Sequence, residues 1–505
     1  MGRATILVAL ALLAFAPKLQ AFSLLGPYAN WRDQSNGYRE PIDIGGPVNL
    51  NEEYRWNVPT ITYAFDKSFV DYFGSNGVAA VESAIQILNA LPDASDIVAS
   101  NFPPDTRGVN FVAAAQNVYD LKSTALALLV EHMGLGQPVR NIFDVPESFD
   151  TTFPPCTNEV CPGVGAVALA MSRNFDPATL TSSLEVNGAT YSEFYTTNSG
   201  AIDIVEFPAD PFSHPYSAVA DAFSVDYSGL QPGSFYGGLT SDDVGGIAYL
   251  LSATNVNWEK LPKDVLFVGS HRGANRKLRG AWRPGVEKIH FVPQPQNKRG
   301  NFKTAIFKYT ASYVTNGMTK EQMVKRMVPR PDIVFSAADT FQSDGTSPMF
   351  LRTGTGTWIN NAAQNGDATA AGPGVITYPV KITFDKLGPQ VLSGDPYPTA
   401  VVINNGWASF DESTNPPIVY PPNSVQTNIA VRLDYFVGSG NGYTNFNNTL
   451  FNLPASIGAQ AILQISTNNT DWVSLASVTN NGSIVRWEYY GQAVQISFRV
   501  VQGGP

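Results

Sequence analysis

The chain has 505 residues, more than one hydrophobic core usually organises, so its length favours two or three domains. Aromatic residues make up 11% and charged residues 15%, with 43 Gly and 36 Pro, which excludes an intrinsically disordered chain and is typical of exported, strand-rich proteins with many turns. The net charge of −10 argues against a chain that binds nucleic acid along its whole length.

The first 21 residues have the pattern of a signal peptide. Arg3 supplies a short positive start, residues 5–16 form an apolar stretch, and Pro17 ends it. Cleavage is predicted after Ala21, and an uncleaved anchor is the alternative. No later apolar run approaches the roughly 20 residues that span a bilayer, so we expect no membrane span after signal removal. The pattern predicts a secreted or cell-surface protein, in an extracellular or periplasmic location.

The next part of the chain contains an irregular segment followed by a strand and a helix. Residues 22–50 are rich in Gly and Pro and have no sustained period, which predicts an extended N-terminal arm. Residues 61–65 alternate as a strand does, with the odd positions on one face. Apolar residues at three- and four-residue spacing over residues 78–88 predict a helix that Pro92 ends.

Two further helices are predicted downstream. A largely apolar face over residues 118–132 predicts the second helix, which Gly134 ends. The third is predicted to begin at Thr240, because Asp243 follows that hydroxyl at the spacing of a capping box. The stretch between these helices, at about 138–238, is too long for an ordinary connection and is predicted to be a structured insertion.

Residues 256–375 form a mixed region in which positive charge is concentrated. Residues 256–330 hold 16 Lys and Arg against 4 Asp and Glu, so this segment carries +12 and the remainder of the chain carries −22. A localised docking surface and a solvated basic face both explain the charge. The pattern predicts a strand at residues 288–292 and a helix at residues 319–327.

Residues 376–505 read as strands separated by turns rich in Gly, Pro and Asn, a spacing typical of a β-sandwich. Trp472 and Trp487 lie in this region. Packing in the core is the expected use of their rings, and stacking on a sugar ligand is the alternative.

Three segments, in this order, resemble the matrixin branch of the metzincin zinc peptidases. Residues 56–91 resemble the start of that family, in which an edge-forming strand leads into a long helix. Residues 131–137 resemble the end of its zinc-binding helix, and residues 239–247 resemble its final helix. The resemblance implies a matrixin-like domain over residues 51–255.

The zinc motif of that family is HExxHxxGxxH, in which two histidines four residues apart share one side of a helix. Aligned on the Gly-Leu-Gly at residues 134–136, the resemblance places the first histidine at Ala127, the catalytic glutamate at Leu128, and the other two histidines at Glu131 and Gln137. All four positions are changed. The resemblance therefore implies a degenerate zinc site with no metal, no cofactor and no catalytic residue.

Few other residues could bind a transition metal. The histidines are His132, His214, His271 and His290. His132 follows a ligand position directly, and one residue along a helix turns a side chain away by about 100°. The two cysteines, Cys156 and Cys161, are expected to form a local disulfide in an oxidising compartment.

The sequence as a whole predicts an α+β fold with a signal peptide at 1–21, an arm at 22–50, a matrixin-like domain at 51–255, a basic mixed region at 256–375 and a β-sandwich-like domain at 376–505. We expect a non-catalytic exported protein that uses this scaffold for binding or self-assembly with protein partners, including filament or matrix formation. A secreted metallopeptidase with unusual ligands and a carbohydrate-binding protein that recognises a polysaccharide are the alternatives. No binding of nucleic acid is expected.

Overall fold

The computed structural model describes residues 21–27, 44–139, 141–142, 144–151, 165–198, 201–208, 230–268, 278–298, 300–338, 355–360, 373–387, 389–394, 401–420, 428–439, 442–454, 459–479, 485–491 and 496–502. Strands predominate in this part of the chain and helices are interspersed, so the predicted α+β class is confirmed. Residues 1–20 of the predicted signal peptide and both cysteines lie outside the described residues.

The helices begin where the sequence provides capping side chains. The α-helices are α1 (Lys67–Asn89), α2 (Phe111–Ala115), α3 (Leu121–His132) and α4 (Ser241–Leu251), and two 3₁₀ turns span Ala94–Asp96 and Ala99–Asn101. Asp66 caps α1 by accepting a hydrogen bond from the Phe69 amide. Within α1, Gly74 has φ 62° and interrupts the helical backbone.

The second and third predicted helices are present, with one changed boundary. The predicted second helix begins three residues late, because Val118–Asp120 pairs as a strand with residues 406–408 and Asp120 then caps α3. For α4 the predicted capping box is observed: the Thr240 side chain accepts from the Asp243 amide, and the Asp243 carboxylate accepts from the Thr240 amide.

A six-stranded central sheet forms the middle of the fold. Its main path is, in order, His290–Pro293, Thr60–Phe65, Ile333–Ala338, Gly374–Asp385 and Thr355–Asn360, with Tyr54–Arg55 pairing the start of Gly374–Asp385. Neighbours along the path are parallel except for the last, which is antiparallel. The strand Thr60–Phe65 therefore has a partner on each side, and the expectation that it forms an edge is wrong.

The central sheet joins parts of the sequence that composition separates. Its strands come from both sides of the boundaries expected at residues 255 and 375, and one continuous hydrophobic core extends from Phe22 to Tyr420. The helices α1 and α3 pack in this core. These boundaries consequently do not divide the sheet into separate domains.

The segment predicted to be an extended arm is partly a core element. Phe22–Gly26 is a fully buried strand, paired with Asn174–Phe175, Gly46–Pro47 and Leu135–Gly136. The Phe22 ring packs on Tyr249 of α4 with ring centroids 5.5 Å apart. Composition alone did not predict this burial, because the strand is short and its hydrogen-bond partners are distant in sequence.

A five-stranded outer sheet covers the central sheet. Its strands are, in order, Asn257–Lys260, Gly280–Arg283, Ala305–Thr315, Met318–Val328 and Val265–Phe267. The helix predicted at residues 319–327 is wrong, since this stretch belongs to the second strand of a hairpin. Asn316 and Gly317 turn the hairpin with φ of 50° and 70°, and Asn-Gly is the strongest short hairpin signal, so this turn was available in the sequence.

The C-terminal strands form two sheets that share an apolar core. The first sheet contains Val401–Asn404, Pro389–Gly394, Val485–Gly491, Asn428–Ser439 and Gly442–Pro454; the second contains Val473–Thr479, Gln460–Ser466 and Ser497–Gln502. Val431, Leu433 and Trp487 of the first sheet pack against Ala461 and Leu463 of the second. This arrangement accords with a β-sandwich pattern.

Four smaller sheets are also present in the described part of the chain. They are Ile418–Tyr420 with Gly406–Ser409 and Val118–Asp120; Glu185–Val186 with Ala189–Asn198 and Ala201–Pro208; Ser234–Tyr236 with Arg107–Val109; and Asp144–Thr151 with Gly165–Met171. All three of the Glu185–Pro208 strands and the Asp144–Met171 pair lie in the predicted insertion, which is thus strand-rich where the structure describes it.

Candidate functional site

The helix α3 is built into the core over its whole length. Its sequence is apolar on nearly all sides, and ten of its twelve residues are buried. Ala127 is 0% exposed and Leu128 is 2% exposed, and both belong to the main hydrophobic cluster. The positions that the resemblance assigns to a zinc-binding histidine and a catalytic glutamate therefore contribute to core packing.

The other two degenerate positions lie close together. The Gln137 side-chain amide donates to the Glu131 carboxylate, with Nε2 to Oε1 at 3.0 Å. The chain turns between them at Gly134, which has φ 109° and where a Cβ would lie 2.1 Å from the Tyr54 carbonyl oxygen. Glu131 and Gln137 are thus brought together as a hydrogen-bonded pair, while Ala127 and Leu128 lie in the core.

His132 is buried at the C-terminal end of α3. Its Nδ1 lies 2.6 Å from the Leu128 carbonyl oxygen, and its own carbonyl accepts from the Trp56 indole at 2.7 Å. Burial lowers the pKa of His132 to about 4, only partly opposed by its hydrogen bond to Leu128. The imidazole is therefore neutral near pH 7, and it is the His132 carbonyl, through its hydrogen bond from the Trp56 indole, that ties α3 to the residue directly after the strand Tyr54–Arg55.

No group of three His, Cys, Asp or Glu side chains in the described part of the chain is arranged to hold a metal ion. His290 is exposed on the central sheet. His214, His271 and the predicted disulfide of Cys156 and Cys161 lie outside the described residues.

The C-terminal tryptophans do not form a shared aromatic platform. Trp487 is 0% exposed and packs in the core between the two C-terminal sheets, so its ring serves packing and is not open to stack on a ligand. Trp472 is half-buried, and the Arg499 guanidinium lies 4.2 Å from the centre of its ring. Its ring face is therefore already used in a cation–π contact.

The outer sheet presents an exposed face with aromatic, aliphatic and cationic side chains. Trp258 and Trp282 are cross-strand partners, 40% and 53% exposed, with ring centroids 6.0 Å apart and planes at 74°. Alternate residues of these strands are buried, including Glu259 and Arg283. Because side chains alternate across a strand, both indoles point away from the central sheet.

The same face continues across the hairpin. Ile306 and Met323 are 53% and 50% exposed, and Lys308 lies directly opposite Lys325. Two ammonium groups side by side repel each other, so this pair favours an anionic partner. We call Trp258, Trp282, Ile306, Lys308, Met323 and Lys325 the basic face; Glu321, opposite Ser312, is the acid on the same side of the hairpin.

Buried ion pairs hold the outer sheet in place. Arg55 of the central sheet donates from Nε to Glu259 of the outer sheet at 2.7 Å, with both side chains almost fully buried. Burial is the larger effect on Glu259 and raises the pKa of its carboxyl, against the lowering effect of Arg55. The alternation that buries Glu259 is the same alternation that exposes Trp258 one residue earlier.

The charge of the basic face is visible in the sequence, whereas its geometry is not. The lysines and arginines of this segment indicate its positive charge. The helix predicted at residues 319–327, however, would not put Lys325 on the same face as Lys308, whereas the observed hairpin does. The Asn-Gly turn at residues 316–317 is the sequence signal that identifies the hairpin.

Among the described residues, no helix is both long and apolar enough to cross a membrane. Comparison of the chain with protein-family models, curated proteins and solved structures finds no match.

Proposed function

We propose that this chain is a non-catalytic exported protein in which a matrixin-like scaffold serves binding or self-assembly outside the cytoplasm. One observation carries the proposal: Ala127 and Leu128 have alkyl side chains, which can neither bind zinc nor move a proton, and both are packed in the main core. A peptidase of the resembled type needs both functions at those positions.

The remaining pair of positions supports the same proposal. Glu131 and Gln137 offer oxygen atoms, which suit hard cations better than zinc, and their side chains already bond to each other. The neighbouring His132 is turned toward the backbone of its own helix. The exposed basic face provides a surface for a partner in a protein that performs no chemistry.

Elemental analysis and a cleavage assay test the proposal. We expect the purified, dialysed chain to contain much less than one zinc per molecule and to leave casein intact with and without chelator. If about one zinc per chain survives dialysis and chelator-sensitive cleavage is seen, the proposal is wrong. Glu131→Gln tests a site at this pair, and Asp96→Asn, which changes an exposed carboxylate elsewhere, is the matched control.

A further inference from the structure

A second exposed apolar surface is flanked by acidic residues, in contrast to the lysines of the basic face. Phe111 at the start of α2 is 83% exposed, and its neighbours Val109 and Val112 are 43% and 37% exposed. A phenylalanine so fully exposed loses its contact with water only when another molecule covers it. The short helix α2 therefore presents an apolar projection that the described residues leave exposed.

Acidic residues flank this projection. The Asn110 side chain donates to the backbone oxygens of Asp411 and Thr414, each at 2.8 Å, and so fixes residues 411–414 next to α2. Asp411 and Glu412 are exposed there. Hydrogen bonds from Thr414 and Ser413 lower the pKa of Asp411 to about 2, which keeps this carboxylate ionised in any ordinary buffer.

We call Val109, Phe111, Val112, Asp411 and Glu412 the acidic knob. Arg107, in the strand before it, is half-buried, and burial lowers its pKa while Tyr236 and Asp105 raise it. The projecting side chains themselves are apolar or acidic. The knob thus has the same mixture of exposed apolar area and charge as the basic face, with the sign reversed.

From these two surfaces we infer that the chain associates head to tail, with the acidic knob of one copy docking on the basic face of the next. This inference rests on the proposed function and names the acidic knob and the basic face as the surfaces through which self-assembly occurs. Phe111 would cover the exposed indoles of Trp258 and Trp282, and Glu412 would approach the Lys308 and Lys325 side. Apolar burial provides the affinity, and the charges provide orientation.

A symmetric pairing of basic face on basic face is disfavoured. It would bring the Lys308 and Lys325 ammonium groups of both copies together, and like charges across an interface cost free energy. A contact between two different surfaces leaves one surface free at each end of a dimer. Such a heterologous contact continues to longer chains unless the rotation closes a ring.

Two variants test the two surfaces one at a time. The face variant carries Trp282→Ala and Lys308→Glu, and the knob variant carries Phe111→Ser and Glu412→Lys. All four positions are exposed or at the surface, so we expect both variants to keep the wild-type thermal unfolding temperature. The control carries Val473→Ser and Lys67→Glu, which make the same kinds of change at exposed sites elsewhere.

Sedimentation velocity of the secreted full chain gives the readout. We expect the wild type and the control to associate, with a dissociation constant that rises at least tenfold in either variant and also rises between about 50 mM and 500 mM salt, as surface charges are screened. An equimolar mixture of face and knob variants should form a dimer with one copy of each and nothing larger, since each keeps one competent surface.

Three results would overturn the assigned contact. They are variants that associate as the wild type does, a mixture that fails to form the dimer, and a wild type that stays monomeric and binds a sulfated polysaccharide through Trp282. None of these bears on the zinc and casein measurements, so a failure of this inference can be told from a failure of the proposed function.

Discussion

Arg326 and Asp332 form a buried two-point ion pair between the outer and central sheets. The two guanidinium nitrogens Nη1 and Nη2 lie 3.0 Å and 2.5 Å from the two carboxylate oxygens, and both side chains are at most 1% exposed. Asp332 also accepts from the amide and hydroxyl of Thr62 in the neighbouring strand. The pair therefore connects the basic face to the sheet that supports it.

Asp332→Asn should strongly destabilise the fold, because it leaves the Arg326 charge buried without its closest partner. Losing one member of a buried pair costs roughly 3 to 5 kcal/mol of unfolding free energy when the other charge is left alone, and we expect less here because the Arg326 Nε still donates to Asp264 at 3.0 Å. Urea denaturation followed by circular dichroism measures it. Asp71→Asn, which removes the exposed partner of Lys67, is the control and should change little. Equal stability of the two variants would show that the buried pair is not a structural connection.

His132 should make the fold sensitive to acid. Its pKa is about 4 in the folded chain and about 6.5 when unfolded, so its contribution is complete above about pH 6.5 and is lost as the pH falls toward 4. The full loss amounts to roughly 3 kcal/mol. With His132→Gln, the unfolding free energy should vary less with pH between 6.5 and 4 than it does in the wild type. The comparison of denaturation midpoints at pH 7, 5.5 and 4.5 tests it, and identical slopes would contradict a buried neutral imidazole.

Asp242 in the first turn of α4 should change the stability of the fold with pH in the direction opposite to that of His132. Burial raises the pKa of its carboxyl well above the usual range, although the amides of Asn187 and Ala21 oppose this. The folded chain then binds a proton that the unfolded chain releases, so stability falls as the pH rises above the ordinary aspartate value. Asp242→Asn, which mimics the protonated form, should gain stability over wild type progressively from pH 4 to 7. Asp96→Asn at an exposed site should show no such trend.

Replacing each of the two C-terminal tryptophans with alanine should have very different effects on the stability of the fold. Trp487→Ala empties a fully buried site and should cost roughly 3 to 5 kcal/mol. Trp472→Ala removes a surface contact with Arg499 and should cost about 0.5 to 1 kcal/mol. Thermal unfolding of both variants measures the difference. A folded, stable Trp487→Ala variant that had lost binding to a glycan array would instead restore a recognition role for this residue.

Local signals in the sequence predicted several elements well. The Thr240 and Asp243 spacing located the start of α4, because a capping box depends only on residues three apart. The alternation at residues 61–65 identified a strand for the same reason. The helix predicted at 319–327 failed although its Asn-Gly turn was visible, since lysine, glutamate and methionine favour helices in isolation and cross-strand pairing overrode that preference.

The sequence by itself determined the identities that exclude zinc chemistry of the resembled type, Ala127 and Leu128, and the concentration of charge between residues 256 and 330. Only the tertiary structure decided where those residues lie. Phe22 is buried, Trp258 is exposed and Trp487 is buried because of partners far away along the chain. Burial depends on which faces meet across long sequence separations, and short-range periodicity carries no information about that choice.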